Sequence, residues 1–119
     1  IKGEKLPIVK EDEKFENAVR FISDMKLGCT LVINNEGRLA GILTDGDIRR
    51  TILNHKVTES LIVSDVMTKT PRTIKKDELV ASALALMEKH SITSLAIVDD
   101  NNFPIGLIHI HDLLKAKVA

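Results

Sequence analysis

The sequence predicts an α/β chain made of two β-α-β-β-α repeats related by a pseudo-twofold axis. Three observations carry that reading. Sliding the chain against itself by 65 positions aligns two segments without a gap: Lys10 falls on Lys75, Asp12 and Glu13 on Asp77 and Glu78, Ala18 on Ala83, Gly41 on Gly106, and Asp47 on Asp112. The apolar blocks coincide at the same offset, with Leu31-Val32-Ile33 over Ala96-Ile97-Val98 and Ile42-Leu43 over Leu107-Ile108. A single offset that holds through helical and strand-type blocks marks an internal duplication. Finally, 119 residues with 44% hydrophobic and 29% charged side chains suffice for one small core under a polar surface.

The elements follow in order. Ile8-Val9 reads as a short strand before an acidic helix start at Glu11-Asp12-Glu13. Phe15, Ala18, Val19, Ile22 and Met25 then recur at the spacing of an amphipathic helix. Gly28 is placed to end it, since glycine tolerates the left-handed cap conformation. Thr30 to Ile33 reads as a buried strand, Asn34-Asn35-Glu36-Gly37 as a tight turn, and Leu39 to Leu43 as the returning strand. A second helix begins around Thr44 to Asp47 and continues through Ile48 and Ile52. In the second copy, Val80, Ala83, Leu84 and Met87 form the helix stripe. Leu95 to Val98 and Pro104 to Ile108 are its strands, joined through Asp99-Asp100-Asn101-Asn102. His55 to Thr70 is a connector with a helical turn at Ser64 to Met67. The resulting division is 1–54 for the first repeat, 55–69 for the connector and 70–119 for the second. One repeat is too small to cover its own sheet, so the pair is the expected folding unit. Ile33, Ile42, Ile97 and Leu107 are its expected buried sheet residues, and two equivalent clefts are left where strand ends meet helix starts.

Composition narrows the function classes. Seventeen Lys+Arg balance 17 Asp+Glu, which argues against a sequence-independent nucleic-acid binder. No apolar run approaches the ~20 residues of a membrane span, and no signal-type segment opens the chain. Cys29 is the single cysteine, so there is no internal disulfide and no CxxC knuckle. Trp and Tyr are absent, and three Phe do not make a base-stacking platform. The expected setting is cytoplasmic, and the start at Ile1 suggests a piece of a longer protein.

Individual residues allow paired readings. Thr44 and Asp47 have the spacing of a capping box. Helix starts also present free N–H groups that suit phosphate. Arg49 and Arg50 are either solvated charge or, at the positive end of a helix, partners of a phosphate or sugar acid. His109 and His111 share a face on an extended strand. With His90 they read as ligand contacts or as a polar strand edge. A zinc site would need further ligands, so none is assigned. Gly28-Cys29-Thr30 and Thr93-Ser94 occupy equivalent corners before the buried strands, where small residues relieve crowding. Cys29 reads as a buried packing residue. No nucleophile elbow, Walker loop or acid–base pair emerges, so the chain is not expected to be an enzyme by itself.

The pattern Gly41-Ile42-Leu43-Thr44-Asp45-Gly46-Asp47, with its counterpart Gly106-Leu107-Ile108-His109-Ile110-His111-Asp112, resembles tandem cystathionine-β-synthase-type (CBS) domains. Val63-Ser64-Asp65-Val66-Met67-Thr68 before Pro71 resembles the lead-in to a second CBS repeat. Thr44-Asp45-Gly46-Asp47-Ile48-Arg49-Arg50, His90-Ser91-Ile92-Thr93-Ser94 and His109-Ile110-His111-Asp112-Leu113-Leu114 look together like the C-terminal CBS pair of bacterial D-arabinose 5-phosphate isomerases. The resemblance implies a regulatory binding module in a protein whose preceding sugar-isomerase (SIS) domain interconverts ribulose 5-phosphate and arabinose 5-phosphate for Kdo synthesis. It puts the Thr44 hydroxyl near a phosphate, Asp47 on ribose hydroxyls, and the corners at 28–30 and 93–94 beside the ligand. At Asp112 the pattern departs, because His109 stands where the threonine would be. No cofactor is required. The implied regulatory ligand is CMP-Kdo, with AMP or ATP as the alternative, and a purely structural dimerisation module is the reading of a different class. The implied partners are the chain's own SIS domain and a second copy. The homodimer would form through helix faces carrying Ile52, Leu113 and Leu114, and the full-length protein would be a tetramer.

Overall fold

The computed structural model describes residues 6–25, 28–54, 58–78 and 80–110. His111, Asp112, Leu113, Leu114 and the start of the connector (55–57) lie outside the described residues, as do the side chains of Met25 and Val80. The element order is β1 (Ile8–Lys10), α1 (Phe15–Met25), β2 (Cys29–Ile33), β3 (Leu39–Thr44), α2 (Asp45–Asn54), α3 (Val63–Val66), β4 (Thr68–Lys69), β5 (Thr73–Lys75), α4 (Val80–His90), β6 (Ser94–Val98) and β7 (Pro104–His109). The chain separates into two compact units, one of Pro7–Pro71 and one of Ile1–Leu6 with Arg72–Ala119.

The duplication is visible residue by residue. Strands β1, β2 and β3 and helix α1 begin and end 65 positions before β5, β6, β7 and α4. In each copy the first strand pairs parallel with the second and the second antiparallel with the third. The register breaks at matching places, between Val32 and Ile33 and between Ile97 and Val98. The hairpin turns match too. Asn34 Oδ1 accepts from the amides of Glu36 and Arg38 at 2.9 and 3.0 Å, and Asp99 Oδ1 from those of Asn101 and Phe103 at 2.9 Å each. Gly37 (φ +86°) and Asn102 (φ +69°) occupy the same left-handed position, which glycine and asparagine tolerate best.

In the first unit, α1 lays Ala18 and Ile22 against Val32 and Leu43, and the connector adds Val63; all five are buried. Helix α3 starts one residue earlier than the sequence suggested, with Asp65 Oδ2 accepting from the Ile62 amide at 3.0 Å. In the second unit, Ala83 and Met87 pack with Ile74 and Leu95. Ile42 and Leu107 are buried as expected, but Ile33 and Ile97 are only half-buried. The fully buried apolar sheet residues are instead Leu31, Val32, Leu43 and Leu95.

Strand β4 adds to the edge of the first sheet, opposite Gly41 and Ile42. Gly41 is required there by proximity: a Cβ would stand 2.6 Å from Met67 Sδ and 2.7 Å from the Thr68 carbonyl oxygen. A methyl group forced against backbone cannot be relieved by a rotamer change. Gly41→Ala is therefore expected to lower stability by about 1–3 kcal/mol. Urea unfolding checks this, and an unchanged midpoint would contradict the close approach.

Candidate functional site at the start of helix α2

The polypeptide turns from β3 directly into α2 at Thr44, and the turn is held by a reciprocal cap. Asp47 Oδ2 accepts from the Thr44 amide at 3.0 Å and from the Thr44 hydroxyl at 3.1 Å, while the Asp47 amide donates to Thr44 Oγ1 at 3.2 Å. The capping reading of this pair is thus realised in full. The carboxylate takes further donors. Arg50 Nη2 reaches Oδ1 at 2.6 Å, and the Thr68 hydroxyl lies 3.1 and 3.2 Å from the two oxygens. Asp47 is only 5% exposed, so this set of partners is what makes its burial tolerable. Its backbone carbonyl accepts the Thr51 hydroxyl at 2.7 Å.

Thr68 was not legible as part of the site, because nothing in its spacing links position 68 to position 47. Only the edge pairing of β4 with β3 brings it there. Asp45 was missed as well. Its amide donates to the Gly28 carbonyl at 3.0 Å, and its carboxylate would be 3.3 Å from a Cβ on Gly28. Val19, Ile22, Ser23, Gly28, Asp45 and Ile48 line a cavity of about 340 Å³ on this side of the first unit.

The remaining candidates fall into groups. Gly28 (φ +75°) ends the α1–β2 corner in the left-handed conformation expected of it. Cys29 pairs across the sheet with Thr44, and Thr30 with Leu43. Both side chains are buried, and the Thr30 hydroxyl donates to the Leu31 carbonyl at 3.2 Å, so the corner offers a ligand mainly backbone. Arg49 is exposed, and the Arg50 side chain is 66% exposed while its guanidinium holds Asp47. In the second unit, Ser94 pairs with His109, and the Ile110 amide donates to the Thr93 carbonyl at 2.8 Å, matching the Asp45–Gly28 bond. His90 closes α4 half-buried. Burial, then the Arg72 and Lys89 charges, push its pKa below the ordinary histidine value, which keeps the ring mostly neutral at pH 7.

No helix among the described residues is long and apolar enough to cross a membrane. The CBS domain family model matches residues 3–54 and 63–119. The chain is 43% identical over 117 residues to arabinose 5-phosphate isomerase KdsD of Francisella tularensis, covering 98% of this chain and 36% of that protein. With KdsD of Pseudomonas aeruginosa the identity is 37% over 116 residues, again 98% of this chain and 36% of the other. The chain thus spans about a third of the length of these relatives, and the stretch it matches is their CBS-domain region. Among solved structures, CBSX2 of Arabidopsis thaliana in complex with AMP superposes with a TM-score of 0.84 at 20% identity, covering 98% of this chain and 90% of that one. The duplicated topology, the capped α2 turn and these matches converge: the chain belongs to the CBS-domain family, as a tandem CBS pair homologous to part of the bacterial KdsD isomerases.

Proposed function

We propose that this CBS pair is the regulatory module of a D-arabinose 5-phosphate isomerase, binding a nucleotide or nucleotide sugar, with CMP-Kdo as the ligand. The observation that carries the reading is the identity to KdsD proteins along nearly the whole chain, joined to a polar helix start of the right chemistry. Thr44, Asp47, Arg50 and the backbone of Gly28 to Thr30 gather hydroxyl, carboxylate, guanidinium and amide groups within one unit. Asp47 is already saturated by its neighbours, so ribose hydroxyls engage it by displacing Arg50 or Thr68. Arg50 is the easier to displace, being mostly exposed, and once freed it can pair with a phosphate or a sugar carboxylate. AMP bound to a protein of the same fold favours adenine nucleotides as the second ligand class. In this reading a separate SIS domain of the same polypeptide carries out the aldose–ketose isomerisation in the cytoplasm. The CBS pair reports the end product of the branch to it, and two pairs associate through helix faces within a tetramer. Residues 1–54, 55–69 and 70–119 are its two repeats and connector.

Calorimetry with CMP-Kdo, CMP, AMP and ATP tests the ligand. Asp47→Ala is expected to weaken CMP-Kdo binding by about 1–3 kcal/mol, the cost of an unsatisfied buried hydrogen-bonding group. It should also lower fold stability by roughly 0.5–2 kcal/mol through loss of the cap, so unfolding is measured in parallel. His109→Ala, at the threonine-equivalent position of the second repeat, should leave affinity nearly unchanged. No heat with any of the four compounds would remove the sensor reading and leave a dimerisation module.

Exposed Ile52 (57%) and Leu53 (77%) on α2 support association of two copies. Sedimentation at micromolar concentration is expected to give a dimer that Leu53→Asp shifts toward monomer. A wild-type monomer under those conditions would count against the assembly.

A further inference from the structure

Among the described residues, three other than glycine have a positive φ: Thr70 (+50°), Ser91 (+53°) and Asn102 (+69°). Two of them sit in hydrogen-bonded turns, the Ser91 amide donating to the Glu88 carbonyl at 3.3 Å and the Asn102 amide to that of Asp99 at 3.1 Å. Thr70 has no such turn among the described residues. It is β-branched, the class of side chain that the left-handed region penalises most, and Pro71 after it favours a strongly negative φ at position 70 as well. Its side chain is exposed, so packing does not hold it, and its hydroxyl turns back on the Lys69 carbonyl at 2.6 Å. The conformation is therefore imposed from the flanks. Upstream lies β4, whose two residues are both exposed and pair with Gly41 and Ile42. Among the described residues, the side-chain hydrogen bond that ties β4 to the rest of its unit is that of the Thr68 hydroxyl to Asp47, at 3.1 and 3.2 Å from the two oxygens.

We propose that Thr68 is a latch: its hydroxyl on Asp47 keeps β4 on the sheet edge, and with it Thr70 in the left-handed conformation, so that a group displacing Thr68 from the carboxylate releases residues 68–71. A hydrogen bond to a charged group and the strain of a left-handed threonine are of similar size, so loss of the first lets the second relax. An exposed strand of two residues adds little against that. The chain upstream stays in place, because the Met67 amide donates to the Val63 carbonyl at 2.9 Å and Met67 packs on the core of the first unit. Asp47 keeps Thr44 and Arg50 as donors, so α2 keeps its cap when the latch opens. Pro71 is the last residue of the first unit, and Arg72 already belongs to the second. The released stretch is thus the one through which the first unit continues into the second, and the state of one carboxylate reaches the end of its own unit. That a ligand hydroxyl is what displaces Thr68 rests on the reading of Asp47 proposed above; the latch itself rests on the geometry and is tested without ligand.

Amide exchange and NOE spectra of the 119-residue chain test the latch in single and double variants. The wild type is expected to show a strong intraresidue amide–Hα NOE at Thr70, the signature of positive φ. Thr68→Val keeps the β-branched shape and removes the hydroxyl. It should weaken that NOE to the level of extended residues and cut the exchange protection of the β4 amides about tenfold, with protection in α2 unchanged. Thr70→Asn, a residue the left-handed region tolerates, should raise β4 protection about threefold. Combined with Thr68→Val, it should restore the strong NOE at position 70. A Thr68→Val chain that keeps the wild-type NOE and β4 protection would overturn the proposal. So would an equal loss of protection in α2 and β4, or a Thr70→Asn chain no better protected than the wild type.

Discussion

A buried carboxylate governs the first unit. Asp47 is almost without solvent, and a charge so placed is tolerable only while its oxygens are filled by donors. Those donors come from three elements: Thr44 at the end of β3, Arg50 one turn along α2, and Thr68 from the edge strand β4. The same group therefore starts a helix, fixes the angle at which it leaves the sheet and pins the connector to the sheet edge. Packing reinforces the arrangement, since β4 can approach only because position 41 has no side chain.

That saturation shapes any ligand chemistry at the site. A group that binds Asp47 does not fill a vacancy but exchanges with Arg50 or with Thr68. Exchange with Arg50 releases a cation at the mouth of the site. Exchange with Thr68 would loosen the two-residue strand through which the connector is held. In the proposed reading, binding and local mechanics would be coupled through one carboxylate, as suits a regulatory module. In the proposed reading, the cap is the starting state of the site.

Much of the fold was legible because the duplication repeats every local decision. Each hairpin has an Asx residue at its first position and a residue fit for positive φ at the fourth. Each first helix carries its apolar stripe at the same offset, and the capping box at Thr44 and Asp47 was readable from spacing alone. What escaped was tertiary. Thr68 reaches Asp47 only through strand pairing, and Asp45 meets Gly28 only because two corners converge. Ile33 and Ile97 look like central strand residues, yet both are only half-buried, which strand periodicity does not encode.

The central claim is that ligand recognition runs through the Asp47 cap. A titration of isotopically labelled chain with CMP-Kdo, followed by amide and guanidinium NMR, tests it most directly. The account predicts saturable shifts confined to Gly28–Thr30, Thr44–Arg50 and Thr68, with the Arg50 side chain leaving its contact with Asp47. Saturable shifts elsewhere with these residues unmoved, or no shifts at all, would contradict it.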